Sequence, residues 1–326
     1  MPLVAIILAA GQGTRFKSKR AKVLHPLLGR PMILYPIDLA QGLDPDRLIV
    51  VVGHQAEAVQ EVCPDGVEFV LQAEQKGTGH AVACALEALT GFEGEVLILS
   101  GDVPLLRPET ATSFIEAHQA ASATVSLIIA RLDDPTGYGR VLRQGGRLAV
   151  IEEKDASFEQ RQTKEINAGL YLIRAGFLSE ALEELRPHNA QAEYYLPDVI
   201  RLAAEQGLDC LAFEARDSEE VMGINDRWQL AQAEKRLRLA KVKEMMLAGV
   251  GCQDPESVFI EAGVKVGRRS WLGAGVHLLG RCSIGRGVII EPNCLLIDVT
   301  IGDGATIRFG ARLEGVTIEA EALVEA

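Results

Sequence analysis

The feature that most constrains this chain is a period of six. Ile260, Val266, Leu272, Leu278, Ile284, Ile290 and Leu296 are aliphatic residues spaced by six without a miss, and glycine follows at 267, 273 and 285. The register slips by one and resumes at Ile301, Ile307 and Leu313. A hexapeptide period with an inward aliphatic residue specifies a parallel β-helix, whose stacked coils bury one continuous core. Chance alternation in an ordinary β-sheet is the alternative, and ten matches with a single slip weigh against it. The period dictates fold in this region and says little by itself about chemistry.

Upstream, apolar strand-like runs alternate with helical patterns over roughly the first 225 residues. Leu3 to Leu8, Leu48 to Val52, Val67 to Leu71, Val96 to Leu99 and Thr124 to Ala130 read as strands, several apolar throughout, as strands covered on both faces are. Pro31 to Gln41, Thr78 to Leu89 and Pro108 to Ala120 have helical spacing. This alternation implies an α/β domain with a mostly parallel sheet, and in such sheets ligands bind beyond the carboxyl ends of the strands. Asp226 to Leu247 is one continuous helical stretch ending at Gly249, where a left-handed cap residue is expected. The expected organisation is a domain over 1–225, a connecting helix over 226–250 and the β-helix over 251–326.

The formal charge of -12 disfavours nucleic acid as a partner, since backbone-phosphate affinity needs a broad basic surface. The apolar runs are too short for a membrane span, and no charged segment precedes the first of them, so the expectation is a cytoplasmic protein. Six cysteines without a C-x-x-C pair fit reduced, mostly buried thiols rather than a structural zinc site.

The strand at Leu3 opens the stretch LVAIILAAGQGTR, followed by Lys17, Lys19, Arg20 and Lys22. It lacks the third glycine of the dinucleotide fingerprint, where Phe16 stands, and it lacks the phosphate-binding G-x-x-x-x-G-K-[ST] pattern. What remains is a run of small residues, Ala9, Ala10 and Gly11, that leaves backbone groups open to a base or a phosphate. Arg15 and Lys22 supply charge for a polyphosphate. A tight strand-to-helix turn with solvated lysines is the plainer alternative. In LILSGDVPLL, Asp102 follows an apolar strand and a Ser-Gly turn, which puts its carboxylate at the same sheet edge, suited to magnesium opposite those cations. A turn or capping aspartate is the alternative there. In LQAEQKGTGHA, Gln72 can read a base edge with its amide, and Gly77 and Thr78 open a helix whose N-terminus favours anions. His80 reads as a structural residue rather than a base.

Together with KVLHPLLG, DDPTGYGR, EINAGLY, EYYLPD and GIND, these stretches resemble the nucleotidyltransferases that make sugar nucleotides. The match is closest to the bifunctional bacterial family that joins N-acetylglucosamine-1-phosphate uridylyltransferase to glucosamine-1-phosphate acetyltransferase. The resemblance runs from the start of the chain to near its end. It implies a Rossmann-like nucleotidyltransferase domain with a mixed, mostly parallel sheet, followed by a partial left-handed parallel β-helix.

The resemblance also implies roles. Leu8, Ala9, Ala10 and Gly11, with Gln72, Gly77 and Thr78, would hold uridine, with Ser100 and Gly101 near the ribose. Lys22 would contact phosphate and Arg15 the departing pyrophosphate, with Asp102 completing the catalytic set. Asp102 and Asn225 would hold Mg²⁺, although a lone Asn before a helix is most simply an N-cap. Gly139, Glu152 and Asn167 would bind the sugar. Where the family pattern has proline before the phosphate lysine and tyrosine before the Gly-Asp pair, this chain has Ala21 and Ser100, and the ribose contact is the one placed in doubt.

The implied reaction is in-line attack of N-acetylglucosamine 1-phosphate on the α-phosphorus of UTP, giving UDP-N-acetylglucosamine and pyrophosphate, with no covalent nucleophile. A thymidylyl- or guanylyltransferase is one alternative and a non-catalytic β-helix assembly protein another. The family's acetyltransferase site belongs to later coils, and between Ile260 and Ala326 there is room for fewer than four coils of about 18 residues. A chain shortened from a longer enzyme, without acetyl transfer from acetyl-CoA, is therefore expected. The β-helix would hold subunits together, as a homotrimer.

Overall fold

The computed structural model describes residues 1–145 and 147–325. The chain divides into two compact units, one of Met1–His25 with Pro31–Asp226 and one of Pro26–Arg30 with the chain from Arg227 on.

The strands before the repeat are β1 (Leu3–Ala9), a small hairpin of β2 (Pro26–Leu27) and β3 (Arg30–Pro31), then β4 (Arg47–Val52), β5 (Glu68–Leu71) and β6 (Glu95–Ser100). After these come β7 (Val125–Arg131), β8 (Arg140–Gln144), β9 (Arg147–Ile151), β10 (Glu165–Arg174) and β11 (Cys210–Glu214). The main sheet has the order β11-β7-β10-β6-β1-β4-β5, and β8 pairs with both β10 and β9. β1 runs parallel to β4 and β6, and β10 runs antiparallel to β6, β7 and β8, so the sheet is mixed. Chain order grows from β1 through β4 to β5 on one side and then resumes at β6 on the other. A crevice beyond the carboxyl end of β1 follows from that reversal.

The helices of this unit are α1 (Leu34–Gly42), α2 (Ala56–Val62), α3 (Thr78–Cys84), α4 (Pro108–Ala120), α5 (Phe158–Arg161), α6 (Ala175–Glu184) and α7 (Asp198–Glu205). Val4 and Ile6 face a core shared with Val82 of α3, Leu178 of α6 and Ile200 of α7. Ala5, Ile7 and Ala9 face a second core with Ile37 of α1 and Phe114 of α4. Both faces of β1 are covered, which is why it reads as an unbroken apolar run.

Two expected helices need correction. The one expected over Pro31 to Gln41 begins at Leu34, because Arg30–Pro31 is a strand of the small hairpin. The one expected over Thr78 to Leu89 is α-helical only through Cys84; Ala85 N–H bonds to Val82 O at 2.9 Å, and a 3₁₀ turn continues over Leu86–Leu89.

In the second unit α8 (Arg227–Leu247) packs Val242 into the same core as Val250, Val258 and Ile260. Gly249 has φ +99°, the left-handed conformation expected after the helix. From Gly251 the chain winds as a left-handed parallel β-helix of two- and three-residue strands, in sheets of five, four and four strands. The period-six residues form its inner column: Ile260, Leu272, Leu278, Ile290 and Leu296 are buried in a common core. At 18-residue separation Leu278 pairs with Leu296, whereas Ile284 pairs with Ile301 at 17, so the slip is one residue missing from a corner. A second short corner lies between Leu313 and Ile318, beyond the last residue the sequence pattern caught. With Ile318 and Val324 added, the inner column from Ile260 makes four complete sets of three strands, more than the fewer than four expected, because two corners are short. Among the described residues all six cysteines are free, and no helix is long and apolar enough to cross a membrane.

Candidate active site

A cavity of about 430 Å³ opens at the carboxyl ends of β1, β5 and β6. Leu8, Ala9, Ala10 and Gly11 form its wall at the end of β1. A Cβ on Gly11 would meet nothing within 4 Å, so the missing side chain there leaves open space. Gly13 has φ +63° and a Cβ there would stand 2.6 Å from Cβ of Lys22, so glycine lets the loop close over that lysine.

The polar floor is built around Lys22, in the 3₁₀ turn Lys22–Leu24. Its Nζ forms an ion pair with Oδ2 of Asp102 and lies 3.4 Å from Oδ1 of Asn225. Ser100 Oγ donates to Asp102 Oδ1 at 2.7 Å. Burial opposes ionisation of Asp102, but the charge and hydrogen bond of Lys22, with help from Ser100, outweigh it and hold the carboxyl below its ordinary range. Asn225 Nδ2 donates to Gly223 O at 3.0 Å, which turns Oδ1 toward the cations, and Arg15 Nη2 donates to that oxygen at 2.9 Å. The Asn225 side chain therefore bonds across the site, to Arg15 and Lys22. Arg15 does not itself line the cavity; it reaches the floor through Asn225. Lys17, Lys19 and Arg20, the other cations of the cluster, are exposed.

On the opposite wall Gln72 follows β5 and is 3% exposed. Its Nε2 donates to Gly77 O at 3.1 Å. Gly77 has φ +101°, and a Cβ there would lie 2.5 Å from the Tyr194 carbonyl oxygen, so this turn admits only glycine without strain. Thr78 lines the cavity with its hydroxyl oxygen accepting from Leu196 N–H at 3.1 Å. Gly101 does not line it: its N–H donates to Leu8 O at 2.9 Å, so its place is to let the turn after β6 lie close on β1.

The far end carries Gly139, Glu152 and Asn167. Asn167 N–H donates to Gly139 O at 2.9 Å, and a bulge in β10 follows, with Gly169 at φ +73°. The Asn167 amide donates to Tyr171 Oη at 2.6 Å and accepts from Gly169 N–H at 3.1 Å, which fixes its orientation. Burial, reinforced by Asp155, Asp198 and Glu193, raises the Glu152 carboxyl above its ordinary range.

Of the residues given a binding or catalytic role from sequence, all but Arg15 and Gly101 therefore line one cavity. Sequence reasoning missed Gln75, Tyr138 and Glu193, which line the same cavity. Tyr138 sits inside DDPTGYGR and Glu193 opens EYYLPD, so the signal was in the motifs without a role attached.

Residues 5–166 match the family model for the MobA-like NTP transferase domain, and residues 263–297 match that for the bacterial transferase hexapeptide (six repeats). The bifunctional protein GlmU of Pelobacter propionicus is 46% identical over 326 residues, covering 99% of this chain and 71% of that protein. The chain belongs to the GlmU family. GlmU of Geobacter metallireducens is 48% identical over 92% of this chain and 64% of its own length, whereas GlmU of Desulfotalea psychrophila, 40% identical, is covered over 97% of its length. Relatives in the GlmU family thus include proteins longer than this chain and one close to it in length. The first unit is a nucleotidyltransferase domain by that membership, and the cavity described above lies within it.

Proposed function

We propose that the first unit transfers uridylyl from UTP to N-acetylglucosamine 1-phosphate, releasing pyrophosphate and giving UDP-N-acetylglucosamine. The observation that carries this reading is the convergence on one cavity of a small-residue backbone wall, the cation and carboxylate of Lys22 and Asp102, and the buried amide of Gln72. Gly11 and Gln72 flank the space for the nucleoside. Glu152, with no hydrogen-bond partner for its carboxylate among the described residues, faces the space for sugar hydroxyls, and Asn167 lies beside it.

Asp102 and Asn225 fit a magnesium ion. Two hard oxygens face one cationic nitrogen, that of Lys22, so the position already favours positive charge. Magnesium needs only one or two protein oxygens besides substrate phosphates. When bound there, Mg²⁺ would offset the repulsion between the two reacting phosphate groups. Lys22 and Arg15 would take up charge developing on the leaving pyrophosphate, and the walls would hold acceptor and nucleotide in line. Pyrophosphate release measured with UTP, Mg²⁺ and a panel of sugar 1-phosphates tests the reading. Turnover should be greatest with N-acetylglucosamine 1-phosphate, and equal turnover of dTTP or GTP would overturn the uridine assignment.

The β-helix supports a second reading, that of a trimerisation module. One of its three faces carries an outward ladder in register, Trp271, Ile289, Thr306 and Leu323, of which Trp271 is 47%, Ile289 45% and Leu323 55% exposed. The outward residues of another face, Lys265, Ser283, Thr300 and Thr317, are polar.

A further inference from the structure

The amide of Gln72 is held from behind. Its Nε2 lies 3.1 Å from the Gly77 carbonyl oxygen and 3.0 Å from Nδ1 of His80. A carbonyl oxygen can only accept, so the amide atom facing Gly77 has to be the nitrogen; the opposite flip would set two acceptors against each other. Gly77 cannot drift to relieve this. It is confined against Tyr194, whose carbonyl also accepts from Gly79 N–H at 2.8 Å.

One hydrogen of Nε2 is thus taken by Gly77 and the other points at His80. Nδ1 of His80 must then present its lone pair, which places the single ring proton on Nε2. That nitrogen lies 3.9 Å from Sγ of Cys84, one turn further along α3, and burial keeps the Cys84 thiol neutral and able to accept. Both amide hydrogens of Gln72 are occupied, while Oε1 has no hydrogen-bond partner among the described residues and its side chain lines the cavity. His80 does not line the cavity, so it acts through Gln72 alone.

We propose that His80 is a positioning residue for base selection: by taking the second amide hydrogen of Gln72, it fixes Oε1 toward the cavity as an acceptor-only edge that favours a pyrimidine carrying N3–H over one whose N3 is a lone pair. The inference rests on the uridylyl reading above and names its selectivity device. Uracil offers N3–H to that oxygen. Cytosine offers a lone pair at the same place and is repelled. Without His80 the amide keeps only its bond to Gly77, so turning it to meet cytosine with N–H costs one hydrogen bond less.

The test is kcat/KM for UTP and CTP in the full chain and in two variants. His80→Leu removes the acceptor. His80→Asn keeps one, because its Oδ1 hangs from the same Cγ as the ring Nδ1. One net hydrogen bond corresponds to about a tenfold change, so His80→Leu should narrow the UTP-to-CTP ratio about tenfold, chiefly through KM, with His80→Asn restoring most of it. A folded His80→Leu with the wild-type ratio, or the same loss in both variants, overturns the proposal. Nitrogen-15 NMR of the wild-type His80 ring is an independent check, expected to show the Nε2–H tautomer; the Nδ1–H tautomer overturns it as well. A wild-type protein with no preference for UTP over CTP would sink the uridylyl reading and this inference with it. A UTP preference indifferent to His80 would sink only the inference.

Discussion

Lys22 Nζ is paired with Asp102 Oδ2 and stands 3.4 Å from Asn225 Oδ1, so one positive charge is shared by the two oxygens proposed above to hold a metal ion. Ser100 and Arg15 complete the arrangement by donating to the same two side chains. Charge placement is what this floor would bring to the proposed reaction.

Replacing Asp102 by Asn or Asn225 by Ala should therefore leave the fold intact and remove a charge-stabilising contact. The expected loss in pyrophosphate release is about 10²- to 10³-fold, as for other preorganised groups aimed at developing charge. Initial rates across a magnesium titration, with circular dichroism as the folding control, check this. Wild-type rates in either variant would remove the metal assignment.

Glu152 predicts a trade between stability and turnover. Its carboxyl is raised by burial and by neighbouring acids, so between the ordinary carboxylate range and its raised value the folded protein holds a proton that the unfolded chain has lost. Stability contributed by this group is thus present at low pH and falls as pH rises through that window. Glu152→Gln should remove that slope and raise neutral-pH stability by about 1 kcal/mol. The same change should lower kcat/KM for the sugar phosphate about 10- to 100-fold, the worth of a charged hydrogen bond. Urea denaturation at several pH values, beside kinetics, measures both.

Gly77 should tolerate no side chain. Gly77→Ala would force a Cβ to 2.5 Å from Tyr194 O at φ +101°, costing about 1–3 kcal/mol and displacing the carbonyl that anchors Gln72. Chemical denaturation should show the lower midpoint, and KM for UTP should rise more than kcat falls.

How far the sequence revealed this depends on what kind of physics wrote each residue. The inner column of the β-helix was legible because one buried position recurs at a fixed interval, and only the short corner before Ile318 escaped. β1 was legible because both its faces are buried. By contrast β10 breaks its own pattern with a bulge after Asn167, so periodicity could not find it. Asn225 was invisible for another reason. Its meaning lies in contacts to Arg15 and Lys22, more than two hundred residues away, and no local pattern encodes these. His80 looked merely structural because the group it serves, Gln72, is what meets the cavity.

The outward ladder of the β-helix makes the last prediction. Inner residues such as Leu278 and Ile290 are fully covered within one chain, but Trp271 and Ile289, directly paired with each other on the outside, are not. An aromatic and an aliphatic side chain left half in water each forgo about 1–2 kcal/mol of burial, which packing between copies would recover. A parallel β-helix has flat faces, and three copies packed by one face each bury every ladder equivalently. Trp271→Glu with Ile289→Glu would set six carboxylates in such an interface while leaving each inner column intact. Light scattering of the wild-type protein should give three times the chain mass, and the double variant one, with unchanged circular dichroism and pyrophosphate release kept within a few-fold. A wild-type monomer, or a trimer that survives both glutamates, would mean that this face is not what joins the subunits.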